Sequence, residues 1–306
     1  MAQATASQMS LSKAAQRSDT LLSIAWRHFR KHRPAMVGVA VLSLLILGAG
    51  LIPLVTNYDP GTTHILDKYL APSLNHPMGT DSLGRDLFIR VMDGGRISLL
   101  IGLSAMVLAV VIGTLVGAVA GFYGGSVDNI LMRIADIMLT LPTLFVAILL
   151  TQLLRAGVIP FLSAGIMPIV VVIAVTSWMV VARLVRASFL SIKQKDFIEA
   201  ARAAGARNGR IIVRHILPNA MSPIIVAATL GVAASILTES GLSYLGFGVQ
   251  LPTPTWGNLL QNAQAQMTYA PWLALFPGLT IFCAVIAINY VGDGLRDALD
   301  PRRGGE

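Results

Sequence analysis

Charge is what this chain lacks most: only 12% of its 306 residues are Asp, Glu, Lys or Arg, against about 25% in soluble domains. Beside that scarcity stand a 55% share of hydrophobic residues and a mean hydropathy of +0.70. The balance excludes a water-soluble enzyme, a disordered tail and a collagen-like repeat, because one aqueous core could not hide so much apolar surface. Cysteine is nearly absent, and Cys283 alone can build neither a disulfide framework nor a cysteine metal site within the chain. No phosphate loop is present, since none of Lys13, Lys31, Lys68, Lys193 and Lys195 follows a glycine; ATP is expected to bind elsewhere. His-Glu-x-x-His and Gly-x-Ser-x-Gly are missing too, so no catalytic, cofactor or metal residues are expected. His28 and His32 share a helix face, but Arg27, Arg30, Lys31 and Arg33 around them would repel a cation.

What is present is a series of charge-free apolar windows. A charge at bilayer depth costs at least ~2.5 kcal/mol, so these windows mark membrane spans, and six helices are expected at about 35–56, 97–121, 129–154, 165–186, 222–247 and 271–291. The fold class expected is an all-α polytopic membrane protein. Lys and Arg divide 18 to 5 between alternate connections, which places both termini in the cytoplasm by the positive-inside rule. The basic pI follows from that asymmetry, and nucleic-acid binding is not needed to explain it. The expected organisation is a basic cytoplasmic segment 1–34 and a six-helix domain 35–306, with external loops 58–96 and 248–270, a cytoplasmic connection 187–221 and a cytoplasmic tail 292–306.

The connection 187–221 has an unusual composition. Phe197, Ala200, Ala201 and Ala204 recur at helical spacing, and the alanine-rich run favours helix. Gly205 permits a left-handed cap, Asn208 and Gly209 are expected to form a turn, and a second helix is expected from Ile211 until Pro218 limits it. Small residues beside Glu199 would let a partner's backbone approach closely, while Arg202, Arg207, Arg210 and Arg214 could fix its position. An amphipathic helix held to lipid by its arginines is the plainer alternative.

This segment resembles the signature of ATP-binding-cassette importer permeases: Glu199-Ala200-Ala201, three residues, Gly205, then Leu217-Pro218. The match departs at His215, where the pattern has Ile, and Ile216 stands one position later. The stretches 76–102, 239–260 and 292–302 resemble the second permease subunit of dipeptide, oligopeptide and nickel importers. The resemblance implies a type I importer permease fold and a bacterial inner-membrane location. It also implies a second permease subunit, two ATPase subunits and an extracytoplasmic solute-binding protein as partners. The cargo implied is a small peptide, with a nickel chelate or a glutathione-like molecule as alternatives. Glu199, Ala200, Ala201, Arg202, Gly205, Arg207, Leu217 and Pro218 would then couple the chain to the ATPases.

Glu239 is the one acid well inside an apolar segment. Counting along the helix puts it near the outer boundary, where an external gate or a packing bond fits better than a midplane proton relay. An ion-coupled carrier or a membrane-embedded enzyme would need more ionisable groups at depth than this chain has. The acids and bases of 58–96 could meet a docking protein or merely hydrate that face. Trp256 and Trp272 suit an interfacial belt. Asp128, Arg133 and Asp136 read as solvated anchors, with Arg133 and Asp136 spaced to pair.

Overall fold

The computed structural model describes residues 21–55 and 62–299. The segments 1–20, 56–61 and 300–306 lie outside the described residues, and with them most of the expected N-terminal segment and half of the expected tail.

Among the described residues the regular structure is helical, with a single isolated bridge between Thr80 and Asp86. The helices are α1 (Leu21–Lys31), α2 (Arg33–Val55), α3 (Leu87–Tyr123), α4 (Gly125–Thr140), α5 (Thr143–Arg155), α6 (Met167–Lys193), α7 (Asp196–Ala203), α8 (Asn208–Tyr244), α9 (Trp256–Ala263) and α10 (Trp272–Leu299). In lipid the backbone must satisfy its own hydrogen bonds, and a helix does so within one segment. Among the described residues five helices, α2, α3, α6, α8 and α10, are long and apolar enough to cross a membrane, and the α4–α5 pair makes a sixth crossing if counted as one.

That pair corrects the expected straight span at 129–154. The chain bends by 96° between Thr140 and Thr143, because Pro142 lacks an N–H and holds Leu141 in an extended conformation, with φ −78° and ψ 138°. The second span, expected at 97–121, is continuous with the turns before it in one helix from Leu87. Asp86 caps α3 by accepting the Ile89 N–H at 3.2 Å, and the helix then runs unbroken for 37 residues, or about 55 Å. A helix of that length is longer than the ~30 Å hydrocarbon core. Gly94 and Gly95 do not break it, since each gives a close contact: Gly94 faces the Thr255 backbone and Gly95 the Trp256 ring.

The helices are held by close backbone approach as much as by apolar volume. Gly113, Gly117 and Gly121 recur every fourth residue on α3 and face α6. A Cβ at Gly113 would lie 2.6 Å from the Val181 Cβ, and one at Gly121 would lie 2.7 Å from the Phe189 Cβ. At Gly117 it would collide with the Ala182 carbonyl. With no hydrophobic drive between helices in lipid, such small-residue stripes supply the packing.

A test follows from this seam. Gly117→Leu should lower the thermal unfolding midpoint of the purified protein in detergent, corresponding to about 1–3 kcal/mol of overpacking. Gly241→Ala, whose added Cβ meets nothing within 4 Å, should leave the midpoint unchanged or raise it. Equal midpoints for the two variants would contradict the seam.

Candidate functional site

The short helix α7 starts where Lys195 turns extended, and Asp196 and Glu199 occupy its first turn, where the helix end favours negative charge. It stops at a left-handed Gly205, φ 78°. The Gly205 N–H donates to the Arg202 carbonyl at 2.9 Å and the Ala206 N–H to the Ala201 carbonyl at 3.0 Å, the paired bonds of a Schellman cap. A Cβ at Gly205 would meet nothing within 4 Å, so glycine is required there by backbone conformation and not by space.

One side of α7 is bolted down. Ile198 is fully buried in a cluster with Phe189 and Ile192 from α6 and Ile211, Ile216 and Ala220 from α8. Burying an isoleucine this way contributes about 1.5–3 kcal/mol. The other side faces outward: Glu199, Ala200, Arg202, Ala203 and Ala204 are exposed, Ala201 is half-buried, and Phe197 retains 41% of its surface. The apolar stripe read from the sequence at Phe197, Ala200 and Ala204 is therefore turned away from the chain's own core. Arg207, Arg210 and Arg214 are exposed just beyond it.

Glu199 to Arg207 thus lie on one helix and its closing turn. Leu217 and Pro218 belong elsewhere, almost three turns along α8, with Leu217 packed on the buried cluster and Pro218 exposed. The expected turn at Asn208 and Gly209 is instead the first turn of α8, and the expected stop at Pro218 is absent. A π turn over Ile212–Ile216, in which the Leu217 N–H donates to the Ile212 carbonyl, widens the helix where the proline ring needs room. The same turn carries Ile216 into the buried cluster and leaves His215 half-buried.

The end of α6 that leads into α7 is tied sideways. Arg186 forms a bidentate pair with Asp128 of α4, Nε–Oδ1 2.5 Å and Nη2–Oδ2 2.6 Å, and Arg183 pairs with Asp136. Lys193 Nζ donates to the Phe122 carbonyl at 2.5 Å and lies 5.5 Å from that ring's centroid. Asp128 is therefore a largely buried interhelical partner and not a solvated anchor, whereas Asp136 keeps its solvent exposure and pairs with Arg183 instead of Arg133.

At the opposite end of α8, Glu239 is fully buried, which removes it from contact with a solute in this conformation. The Ser98 hydroxyl of α3 donates to Oε2 at 3.0 Å, and the Ser243 hydroxyl donates to Oε1 at 2.6 Å. Ser240 lies 3.5 Å from Oε2. Both short bonds continue outward, because Ser98 Oγ accepts the Trp256 N–H at 3.2 Å and Ser243 Oγ accepts the Val249 N–H at 3.3 Å. Trp256, also buried, sends its indole N–H to the Val91 carbonyl at 2.9 Å. Thr255 and Asn258 form a capping box that starts α9. One carboxylate thereby joins α3, α8, α9 and the loop between the last two. Trp256 is a packing element in this network, not a member of an interfacial belt.

Compared with known proteins, residues 113–305 match the family described as binding-protein-dependent transport system inner membrane component. Residues 20–72 match the N-terminal transmembrane domain of oligopeptide transport permease C. The chain is 41% identical over 290 residues to the oligopeptide transport system permease protein OppC of Bacillus subtilis, covering 95% of this chain and 92% of that one. It is 40% identical over 278 residues to the dipeptide transport system permease protein DppC of Alkalihalophilus pseudofirmus, covering 91% and 89%. Among solved structures, an inward-facing conformation of the MetNI methionine ABC transporter superposes with a TM-score of 0.56 at 21% identity, covering 69% of this chain and 96% of that one, which supports the shared fold. With a helical membrane fold, a family model matched over residues 113–305 and relatives matched along nearly its whole length, the chain belongs to the inner-membrane permease components of binding-protein-dependent ABC importers, non-enzymatic subunits, in the permease C branch.

Proposed function

We propose that this chain is one of two paired permease subunits of an ATP-driven importer of small peptides, served by two ATPase subunits and an extracytoplasmic solute-binding protein. Relatives named for oligopeptides and dipeptides support peptide cargo over a nickel chelate or a glutathione-like molecule. The 18 to 5 division of Lys and Arg supports a cytoplasmic position for α7 and both termini, and an external one for Glu239 and α9.

The observation that carries the reading is the outward stripe of α7 on its buried base. A helix that exposes Phe197 and small alanines beside Glu199, with Arg202 and Arg207 at its edge, suits docking against another protein's backbone. Leu217 supports it by packing on the cluster beneath α7, and Pro218 follows the π turn within α8. Motion of a docked ATPase would reach α6 and α8 together through Ile198, Phe189 and Ile211. From α6 it would pass across the glycine seam to α3 and through Arg186 to α4. At the external end α3 and α8 meet at Glu239, so relative movement of the two must break or remake the Ser98 bond. Glu239 is read as the latch of an external gate.

Two experiments address this directly. Ala201→Trp should hold the ATPase away by bulk, and Gly205→Val should strain the cap at a cost of about 1–2 kcal/mol. Both should insert normally in the membrane yet lose co-purifying ATPase and peptide uptake together. Normal co-purification with normal uptake in the Ala201→Trp variant would remove the docking role.

For the latch, Glu239→Gln keeps an acceptor for Ser98 or Ser243 and should retain part of the coupled uptake. Glu239→Ala leaves both buried hydroxyls without their acceptor, a loss of about 1–3 kcal/mol. It should raise ATP hydrolysis in the absence of binding protein and peptide in proteoliposomes, because the closed external end is no longer favoured. Unchanged basal hydrolysis in a folded Glu239→Ala protein would count against the gate.

A further inference from the structure

A cavity of about 240 Å³ opens beside the first turns of α3, between the turn carrying Asp81 and Arg85 and the helix α9. Arg90 forms part of its lining and is only 2% exposed. Its Nη1 donates to Asp81 Oδ2 at 2.9 Å, and Arg85 Nε donates to that same oxygen at 2.7 Å. Asp81 Oδ1 already accepts the backbone N–H groups of Leu83 and Arg85. A carboxylate has about four acceptor positions, so Asp81 is saturated while most guanidinium N–H groups of two arginines remain unspent. Arg90 Nε, fully buried, has no hydrogen-bond partner. Asp93 attracts Arg90 electrostatically but makes no hydrogen bond to it. Buried polar groups left unsatisfied in this way are rare and ask for a reason.

The rim supplies further donors. Asn262 is exposed and Gln266 half-buried on the α9 side, and Leu251, 58% exposed, overhangs the opening. Two guanidiniums against one hydrogen-bonded carboxylate, with amide donors at the mouth, match a planar monoanion that accepts paired N–H bonds. We propose that this cavity is a binding site for a carboxylate group, with Arg90 at its floor and Arg85, Asn262 and Gln266 along its side. The inference rests on the import reading for its placement on the external face. The carboxylate can come from the free C-terminus of a transported peptide or from an acidic side chain of the protein that delivers it.

The assembled transporter in lipid nanodiscs separates these sources. One arm probes alanyl-alanine and its C-terminal amide by saturation-transfer NMR without binding protein; the other titrates the binding protein at low and high salt. Arg85→Gln removes donors, and Gln266→Glu sets a competing carboxylate at the mouth; co-purifying ATPase subunits confirm assembly of each. Binding of the free dipeptide but not the amide, weakened about tenfold or more in both variants, supports the site with the peptide terminus as occupant. No dipeptide binding, but a tenfold weaker and less salt-sensitive binding protein in both variants, supports it with a protein side chain as occupant. Wild-type behaviour of both variants in both arms overturns the site. Peptide uptake by the wild type, measured in proteoliposomes, tests the import reading separately.

Discussion

The direct contact between the backbones of α3 and α6 is the constraint on which the other connections depend. Where Gly113, Gly117 and Gly121 face Val181, Ala182 and Phe189, there is no side chain on the α3 side to yield. Close-packed interiors of this kind transmit displacement instead of absorbing it. The seam fixes the height of α3 against α6, and so relates two distant features. Ser98 on α3 reaches Glu239 at one end, and Phe189 and Ile192 on α6 form the base beneath α7 at the other. The ion pairs from Arg183 and Arg186 then attach α4 to the same unit, while the 96° bend at Pro142 separates α4 from α5.

How much of this was legible in the sequence depends on the range of the interaction. Spans and the cap at Gly205 are local properties: apolar length, alanine propensity and a glycine at the end of a helix can be read from a few neighbours. Pro142 was equally local, yet an apolar proline in a charge-free window leaves the hydropathy signal intact while breaking the helix. The Gly113, Gly117, Gly121 spacing was a readable sign of close helix packing, although nothing local names α6 as its partner. Asp128 and Arg186 lie 58 residues apart, and the pairing of Arg133 with Asp136 was the nearest choice that helical spacing offered.

Glu239 shows the same division more sharply. Its rarity in an apolar run marked it as important, but rarity alone said nothing of hydroxyl partners on α3 and α8. Serines are nearly neutral in sequence reading, and Ser98 and Ser243 become informative only once folding sets them around a carboxylate. Each hydroxyl has one proton to give and lone pairs to receive, so each can pass the carboxylate's preference onward to a backbone N–H, that of Trp256 or Val249. A buried carboxyl group in this setting organises loop backbone through its hydroxyl partners.

The π turn at Ile212–Ile216 sets the azimuth of everything that follows it. An α-helix advances by about 100° per residue, so one surplus residue in a turn rotates the remaining length of α8 by roughly that amount relative to the part before it. The lower section can point Ile211 into the base under α7, while the upper section independently points Glu239 toward Ser98. The helix behaves as two shafts joined at a fixed phase offset: an axial push passes straight through the joint, but the faces presented at its two ends can be tuned in sequence one without the other.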